Sequence, residues 1–397
     1  FISQDWDDTG MVTTDNKFLR EINKCKNRCM ELDEYFNQSR FNFAWYEFLK
    51  INNDLEQYKQ KNNKYDFTDM LALWIDSGPT PKLEVVFIDE AQDLTKLQWK
   101  MCEKIWKNAK RVYISGDDDQ AIFRWAGADI EHFINMSGNV KILKQSHRCP
   151  RNVHHIANSI VKRIDKRREK EWLPRQENGV VERHAHPDSV NLKIGKWLIL
   201  APCGYMLNEI EGDLRHQGLA YKKNNKLPVS AEILSAIEAW KKLNKGEFIS
   251  YQEVSNIYSY LPTKTGIARG YKNLKTLKEE QTYDIEQLTM HHGLMASHSP
   301  WEVLFEKIGT RNIEYIKSLE KNNKTLMFDP TINLSTIHMS KGGECDNVML
   351  FTDLSRANRQ EMEINPDDTY RVFYVGVTRT KRELHVVDPQ KYGGFTI

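Results

Sequence analysis

The feature that most constrains this chain is an apolar run of strand length that ends abruptly in acidic residues. Leu83 and Val85–Ile88 form the run, and Asp89-Glu90-Ala91-Gln92-Asp93 follows it directly. A continuous apolar run predicts a central parallel strand that is buried on both faces. Open α/β sheets bind their ligands at the carboxyl ends of such strands, so the pattern predicts a site and not only a core.

A second strand with a similar ending lies a short distance downstream. The segment Thr95–Asn108 has a helical pattern, Arg111–Ser115 is typical of a strand, and Gly116-Asp117-Asp118-Asp119-Gln120 follows that strand. Two neighbouring strands would therefore bring carboxylates and an amide to the same edge of a sheet.

Acidic and amide groups at this edge suit the hydrolysis of a nucleoside triphosphate. Such a site needs a hard cation held by carboxylate oxygen and a base that orients the attacking water. Asp89 is the candidate ligand for Mg²⁺, Glu90 is the candidate base, and Gln120 is a candidate sensor of the γ-phosphate. The alternative is a solvated loop and an ordinary turn, which the position of both clusters behind apolar strands disfavours.

Length, charge and cysteine content limit the kinds of protein that this chain can be. A chain of 397 residues predicts two or three domains. No apolar run approaches the roughly 20 residues of a membrane span, and a net charge of +2 limits any nucleic-acid surface to a local patch. The six cysteines are scattered, which favours reduced thiols in a cytoplasm over a zinc site or disulfides.

Two of these stretches resemble a known family. DEAQD (89–93) and GDDDQAIFRWAGAD (116–129) are similar to the Walker B motif and the third motif of UvrD/Rep-like superfamily 1 DNA helicases. The resemblance implies that Phe123 and Trp125 stack on bases of single-stranded DNA, and aromatic faces accept any base. Core packing is the alternative for both rings. Ala126 stands where the family often has a basic residue, so one DNA contact is missing from the pattern.

The fourth motif is also recognisable. A predicted short strand, Val140–Lys144, precedes QSHRCP (145–150), which resembles that motif. By this resemblance Arg148 is a candidate arginine finger for the γ-phosphate, and His147 stands where the family stacks a tyrosine on adenine. The basic run Lys162–Arg168 predicts a helix that holds DNA phosphates, with a solvated helix face as the alternative.

INLSTIHMSKGGECD (332–346) resembles the fifth motif of the same family. The resemblance implies contacts of Thr336 and His338 with the DNA backbone. It also implies that Glu344 contacts the ribose of the nucleotide and that Lys341 supports the nucleotide-binding loop. A buried core histidine is the alternative for His338.

YRVFYVGVTRTKRE (370–383) resembles the sixth motif. By this resemblance Arg379 would project from a helix as a second arginine finger, and Arg371 is a further candidate in the same nucleotide cleft. A planar, always charged guanidinium suits the spread charge of a phosphoryl-transfer transition state better than an ammonium group.

The motifs together imply an α/β protein with two RecA-like P-loop NTPase domains, each a parallel sheet flanked by helices and interrupted by a helical insertion. The expected boundaries are a helical insertion or remnant of the first motor domain at 1–64, the first RecA-like domain at 65–137, the first part of the second RecA-like domain at 138–205, a variable helical insertion at 206–330 and the rest of the second RecA-like domain at 331–397.

The resemblance implies an ATP-dependent DNA helicase that uses Mg²⁺, moves 3′ to 5′ on single-stranded DNA and unwinds duplexes at junctions with single strands. No G-x-x-x-x-G-K-[ST] phosphate loop occurs in the chain, so we expect a fragment that does not hydrolyse ATP alone. A non-hydrolysing single-stranded-DNA-binding or regulatory module is one alternative, and the motor of a helicase–nuclease is another. An Asn- and Lys-rich composition favours a phage-type helicase, while its replication or repair partners stay open.

Overall fold

The chain forms two compact units in its computed structural model. The first unit comprises Phe1–His186, Leu200–Gly204 and Thr336–Ile397, and the second comprises Pro187–Ile199 and Tyr205–Ser335. The structure describes residues 4–6, 12–14, 16–39, 41–296, 298–305, 307–322, 325–391 and 393–397. The five segments expected from the sequence stay a prediction.

Helices and short strands alternate along most of the chain. The strands are, in chain order, β1 (Gln4–Trp6), β2 (Val12–Thr14), β3 (Val85–Ile88), β4 (Arg111–Ile114), β5 (Val180–His184), β6 (Trp197–Ala201), β7 (Tyr221–Lys223), β8 (Ile249–Ser250), β9 (Thr282–Tyr283), β10 (Ile332–Thr336), β11 (Cys345–Phe351) and β12 (Thr380–Val387). The helices are α1 (Lys17–Asn27), α2 (Leu32–Gln38), α3 (Trp45–Asn62), α4 (Phe67–Ser77), α5 (Lys96–Trp106), α6 (Ile130–Ile134), α7 (Arg151–Val161), α8 (Asn208–His216), α9 (Ala231–Asn244), α10 (Tyr251–Tyr260), α11 (Ile285–His291), α12 (Trp301–Leu304), α13 (Thr310–Asn322), α14 (Arg356–Ile364) and α15 (Pro366–Val377). In the described part of the chain, none of these helices is both long and apolar enough to cross a membrane.

Most strand pairs in both units are parallel, while β1–β2 and β8–β9 are short antiparallel pairs. In the first unit β12 is parallel to β5 on one side and to β11 on the other, and β5 is an edge strand. In the second unit β10 is parallel to β7. The first unit buries Val153 of α7 and Phe373 of α15 completely. These features confirm the predicted α/β class with parallel sheets flanked by helices.

The two strands that precede the acidic clusters form a separate parallel pair, in which Val86 is the partner of Val112. The prediction that the first of them is buried on both faces is wrong, because Phe87 is 77% exposed. Its ring stacks on Tyr113 with 4.9 Å between the ring centroids. Val85 and Tyr113 are also exposed, so one face of this strand pair is open to solvent.

Two other predicted elements also differ from the structure. Val140–Lys144 is not a strand: only the next residue, Gln145, forms a bridge, to Leu173. The basic run Lys162–Arg168 is not helical, because α7 ends at Val161. A strand needs a neighbouring strand to pair with, and a helix needs its next turn. The apolar composition of the first segment and the basic composition of the second do not show whether these are present.

The amino-terminal helices close around an aromatic cluster and an ion-pair network. Phe48 is fully buried at the centre of the cluster. Asp66 and Asp69 form the capping box of α4, and the Lys59 ammonium lies 2.5 Å from Asp66 and 2.6 Å from Asp69. Lys26 of α1 binds Asp69 at 2.8 Å, so these carboxylates connect three helices.

Candidate active site

Asp89 follows directly after β3 and is held by the end of β4. Its Oδ1 atom accepts hydrogen bonds from Ser115 Oγ at 2.6 Å and from the Glu90 backbone N–H at 2.9 Å. The hydrogen bond from Ser115, supported by the backbone one, lowers the pKa of Asp89 below its usual range. An exposed, ionised carboxylate at this sheet edge has the chemistry that a hard divalent cation prefers.

Glu90 occupies a left-handed backbone position, with φ of +51°. Its side chain is 64% exposed, and its Oε2 atom accepts a hydrogen bond from Gln92 Nε2 at 2.6 Å. Gln92 is fully buried, and its Oε1 atom accepts the backbone N–H of Asp117 at 2.9 Å. One amide therefore connects the turns that follow β3 and β4, a role that sequence analysis missed.

The third and sixth motifs meet at Gln120 and Arg379. Gln120 Nε2 donates to Asp117 Oδ2 at 2.6 Å, and its Oε1 atom accepts a hydrogen bond from Arg379 Nη2 at 3.0 Å. Arg379 also donates to the carbonyl oxygens of Val375 and Gly343, at 3.0 and 3.1 Å. Arg379 does not project from the helix as expected, since α15 ends at Val377 and Arg379 lies in the turn before β12.

Burial has the largest effect on the pKa of Arg379. Arg379 is fully buried, and burial, reinforced by repulsion from Arg148, lowers its pKa to about 10. The guanidinium is therefore charged at neutral pH. Among the described residues its hydrogen-bond partners are neutral oxygens, so this buried charge is solvated by dipoles and not by a carboxylate.

Lys341 of the fifth motif links the acidic turn to the aromatic segment. Its ammonium group binds the carboxylate of Asp93 and donates to the carbonyl oxygen of Gln120 at 2.8 Å. It also lies 5.2 Å from the ring centroid of Phe123. Burial raises the pKa of Asp93, although Lys341 acts in the opposite direction. Lys341 thus supports two loops at once.

Arg148 and Glu344, expected to contact ATP separately, are paired with each other. Arg148 Nε donates to Glu344 Oε2 at 2.7 Å, and Lys381 lies 3.2 Å from the same carboxylate. These hydrogen bonds, the one from Arg148 first, lower the pKa of Glu344. The neighbouring His147 is exposed. The roles assigned to these three side chains stay a prediction.

A cavity of about 540 Å³ opens beside the end of β4. Ser115, Asp117 and Gln120 line it together with Arg148 and Thr378. Two predicted catalytic residues therefore share this cavity. Glu90 and Arg379 are not among the described residues that line this cavity.

Three aromatic side chains from two distant motifs form a cluster. The ring of His338 lies 6.1 Å from that of Phe123 and 6.4 Å from that of Trp125, measured between centroids. All three are half-buried. The indole N–H of Trp125 has no hydrogen-bond acceptor among the residues described. Such a partly exposed aromatic platform can stack on nucleic-acid bases.

Thr336 is two residues before His338 in the sequence, but its side chain is not at the surface. It is fully buried, and its hydroxyl accepts the backbone N–H of Met339 at 3.3 Å. In the structure it therefore shapes the turn that carries His338. Its predicted contact with DNA stays a prediction.

The acidic turn of the third motif is paired with Arg167 of the basic run and with Lys170, which follows that run. Asp119 is fully buried and receives two hydrogen bonds of 2.8 Å from Arg167. Lys170 lies 2.9 Å from Asp117 and 3.0 Å from Asp119, and it also contacts Asp118. Although burial acts against ionisation, these cations lower the pKa of Asp119. At these positions the basic run is neither a DNA-holding helix nor a solvated face.

Arg371 binds the same turn from the other side. Its Nε atom donates to the carbonyl oxygen of Asp118 at 2.9 Å, and its Nη2 atom donates to the carbonyl oxygen of Lys166. The side chain is fully buried, and burial lowers its pKa. Arg371 therefore cross-links two loops, and its contact with a nucleotide stays a prediction.

The site thus combines acidic side chains at the ends of parallel strands, buried arginines and an adjoining aromatic cluster on an α/β fold. The model of the UvrD/REP helicase N-terminal domain matches residues 3–141, and that of the UvrD-like helicase C-terminal domain matches residues 331–387. Over these two stretches the chain is similar to the UvrD/Rep-like DNA helicases, in agreement with the resemblance of its motifs.

The chain is similar to helicases of known name. A probable DNA helicase II homolog of Mycoplasma genitalium is 21% identical over 92% of this chain and 64% of its own length. The ATP-dependent DNA helicase PcrA of Bacillus subtilis is 23% identical over 61% of this chain and 34% of its own length. The chain thus spans less than two thirds of the length of these relatives.

Proposed function

We propose that this chain carries the motor motifs of an ATP-dependent DNA helicase that moves on single-stranded DNA. ATP hydrolysis would take place where the ends of β3 and β4 meet the turn that precedes β12. Single-stranded DNA would lie on the aromatic cluster of Phe123, Trp125 and His338.

The observation that carries this proposal is the buried charge of Arg379. A charged group inside a protein is costly unless a counter-ion or several dipoles solvate it. The described partners of Arg379 are neutral oxygens, so an anion would be bound more strongly here than at an already paired arginine. A γ-phosphate that replaces the Gln120 oxygen is such an anion. Because Arg379 is fully buried, this exchange requires the turn to open locally.

Asp89 and Glu90 would have separate roles in ATP hydrolysis, one in binding the metal ion and the other in orienting water. Asp89 is exposed and its pKa is low, which suits Mg²⁺. When bound, Mg²⁺ neutralises charge on the phosphate oxygens. Glu90 is held by Gln92 with its carboxylate largely exposed, so it can orient a water molecule as a general base.

Lys341 gives a physical connection between the two proposed sites. The same ammonium group contacts Asp93, three residues after Glu90, and the ring of Phe123. A shift of the acidic turn on ATP binding would therefore move a cation that lies against the DNA-stacking ring. That coupling is what a translocating motor needs.

A second candidate is a single-stranded-DNA-binding module without ATPase activity, which the partly exposed aromatic cluster of Phe123, Trp125 and His338 would serve equally well. A strand-displacement assay separates the two functions. The assay uses an extended protein, in which a strand–phosphate loop–helix segment precedes Phe1, and duplexes with a 3′ or a 5′ single-stranded tail. We expect ATP-dependent displacement from the 3′-tailed duplex alone.

Equal displacement from both duplexes would contradict the proposed direction of movement. Binding of both duplexes without any displacement would support the binding module instead. A duplex with blunt ends serves as the control for tail-independent melting.

A further inference from the structure

Three side chains that the proposed nucleotide and DNA sites do not use meet on the β5–β12 strand pair. Glu182 and His184 are two residues apart on β5, so they share one face of the sheet. His385 of β12 is the direct cross-strand partner of Glu182. His184 Nε2 lies 3.0 Å from His385 Nδ1, and Glu182 Oε2 lies 3.5 Å from each of these nitrogens.

We propose that Glu182, His184 and His385 bind a divalent transition-metal ion, with Zn²⁺ as the best match. Bonds of about 2.0–2.2 Å at tetrahedral angles place neighbouring ligand atoms about 3.3 Å apart. The three separations of 3.0, 3.5 and 3.5 Å lie on both sides of that value. Two imidazoles and one carboxylate favour Zn²⁺, Cu²⁺, Ni²⁺ or Fe²⁺ over Mg²⁺ and Ca²⁺.

A fourth side chain completes the pattern of a metal site. Glu383 Oε2 lies 3.5 Å from Nε2 of His385, the ring nitrogen that does not face His184. Metal-binding histidines commonly donate their other N–H to a carboxylate, which fixes the tautomer and makes the ligand nitrogen more basic. Glu383 is in the position to do this, so it is a positioning residue for His385.

The burial of the three ligands fits an ion that enters from solvent. The His385 side chain is 9% exposed and that of His184 is 12% exposed, whereas the Glu182 side chain is 54% exposed. Two buried rings would hold the ion in place, and the exposed carboxylate would close over it. Three protein ligands leave a fourth tetrahedral position for water.

The ion would stabilise the edge of the sheet. β5 is an edge strand with β12 as its neighbour, and the proposed ligands come from both strands. An ion that binds only the folded chain raises its stability in proportion to the logarithm of its free concentration. The alternative is a direct hydrogen bond between the two imidazoles, which involves neither an ion nor Glu182.

Zinc titration of the 397-residue chain tests the proposal. The chain is freed of metal with a chelator, and zinc affinity is measured by competition with a chromophoric chelator. We expect one ion per chain. His184→Asn and His385→Asn should each weaken binding more than about 100-fold, and Glu383→Gln should weaken it about 10-fold, as for an outer-shell group. His216→Asn, which removes a histidine of α8, is the matched control and should change nothing.

Glu182→Gln is the variant that guards against misfolding, because this exposed side chain can change without disturbing the core. It should lower zinc affinity while the circular dichroism spectrum stays that of the parent. Co²⁺ in place of Zn²⁺ should give the visible absorption of a tetrahedral site in the parent and not in this variant. The proposal is overturned if the parent binds no zinc, or if its affinity equals that of the His184 and His385 variants.

Discussion

Arg379 donates a hydrogen bond of 3.0 Å to the side-chain oxygen of Gln120, although 259 positions separate the two residues. Gln120 in turn donates to Asp117 in the turn that follows β4. The amide therefore connects the acidic turn with a buried cation. Because the pKa of Arg379, at about 10, is still well above neutrality, the contact is between a charged donor and a neutral acceptor that a phosphate oxygen could replace.

Replacement of Arg379 should affect turnover more than nucleotide binding. In the extended protein, Arg379→Ala should lower the ATP turnover number by about 10³-fold, the effect of an arginine finger. The dissociation constant for ATP should change far less, since the charge is needed most in the transition state. Steady-state kinetics and equilibrium ATP binding measure the two quantities. The exposed Arg20→Ala is the matched control, and an equal loss in both quantities would argue against a transition-state role.

The assignment of Glu90 as the general base is tested by replacing its carboxylate with an amide of the same size. Glu90→Gln in the extended protein should keep ATP affinity, because size and exposure are preserved, and should abolish turnover, because the amide does not accept a proton. A single-turnover assay with bound ATP measures this directly. Glu279→Gln, which makes the same change at an exposed glutamate outside the motifs, is the control. Unchanged turnover in Glu90→Gln would reject Glu90 as the base.

The aromatic cluster is tested on the 397-residue chain itself by fluorescence anisotropy with a labelled single strand. Trp125→Ala should weaken binding by about 1–3 kcal/mol, the usual contribution of one stacked base. Trp125→Phe should keep most of the affinity because it keeps an aromatic face. Tyr46→Ala removes an aromatic ring that is 71% exposed elsewhere in the unit, and it should have no effect. If Trp125→Ala binds as tightly as the parent, the ring belongs to the core.

The amino-terminal ion pairs should make stability depend on pH. Burial disfavours the ionised form of Asp69, but hydrogen bonds from Lys26 and Lys59 outweigh this and hold its pKa at about 2. Because this pKa is below that of the unfolded chain, the stabilisation is present above about pH 4 and is lost as pH falls towards 2. Solvent screening limits it to about 1 kcal/mol.

Urea unfolding between pH 7 and pH 3 measures this contribution. Asp69→Asn should be less stable than the parent at pH 7, and the difference should shrink as pH falls. Asp54→Asn, in the same helical region, is the control for an acidic residue that lacks this network. A difference between Asp69→Asn and the parent that is the same at every pH would contradict the ion-pair account.

The local sequence pattern predicts the acidic edge of the β3–β4 pair but not the residues that pair with it. Asp89 and Gln120 could be predicted because local patterns, an apolar strand and then a polar turn, place them. The pairing of Asp119 with Arg167, 48 positions away, could not be, because the chain between them has no periodicity that fixes a contact. The pairing of Arg148 with Glu344, 196 positions apart, is beyond local pattern for the same reason.

The burial of β3 was mispredicted for a different reason. The apolar side chains of β3 show which residues favour burial. They do not show whether another element of the fold packs on them. Phe87 is an apolar residue of a kind typical of a core, and it is nevertheless exposed because its face of the β3–β4 pair is open to solvent. Gln92 was overlooked because an amide in an acidic run has no distinctive spacing, although it is the group that connects the two turns.

The most direct test of the central claim is the rate of ATP hydrolysis by the extended protein with and without single-stranded DNA. The account predicts a low basal rate, strong stimulation by DNA, and loss of that stimulation in Lys341→Met, which keeps the length of the side chain but removes the charge that contacts both Asp93 and Phe123. Hydrolysis that DNA does not change, or no hydrolysis together with tight DNA binding, would contradict it.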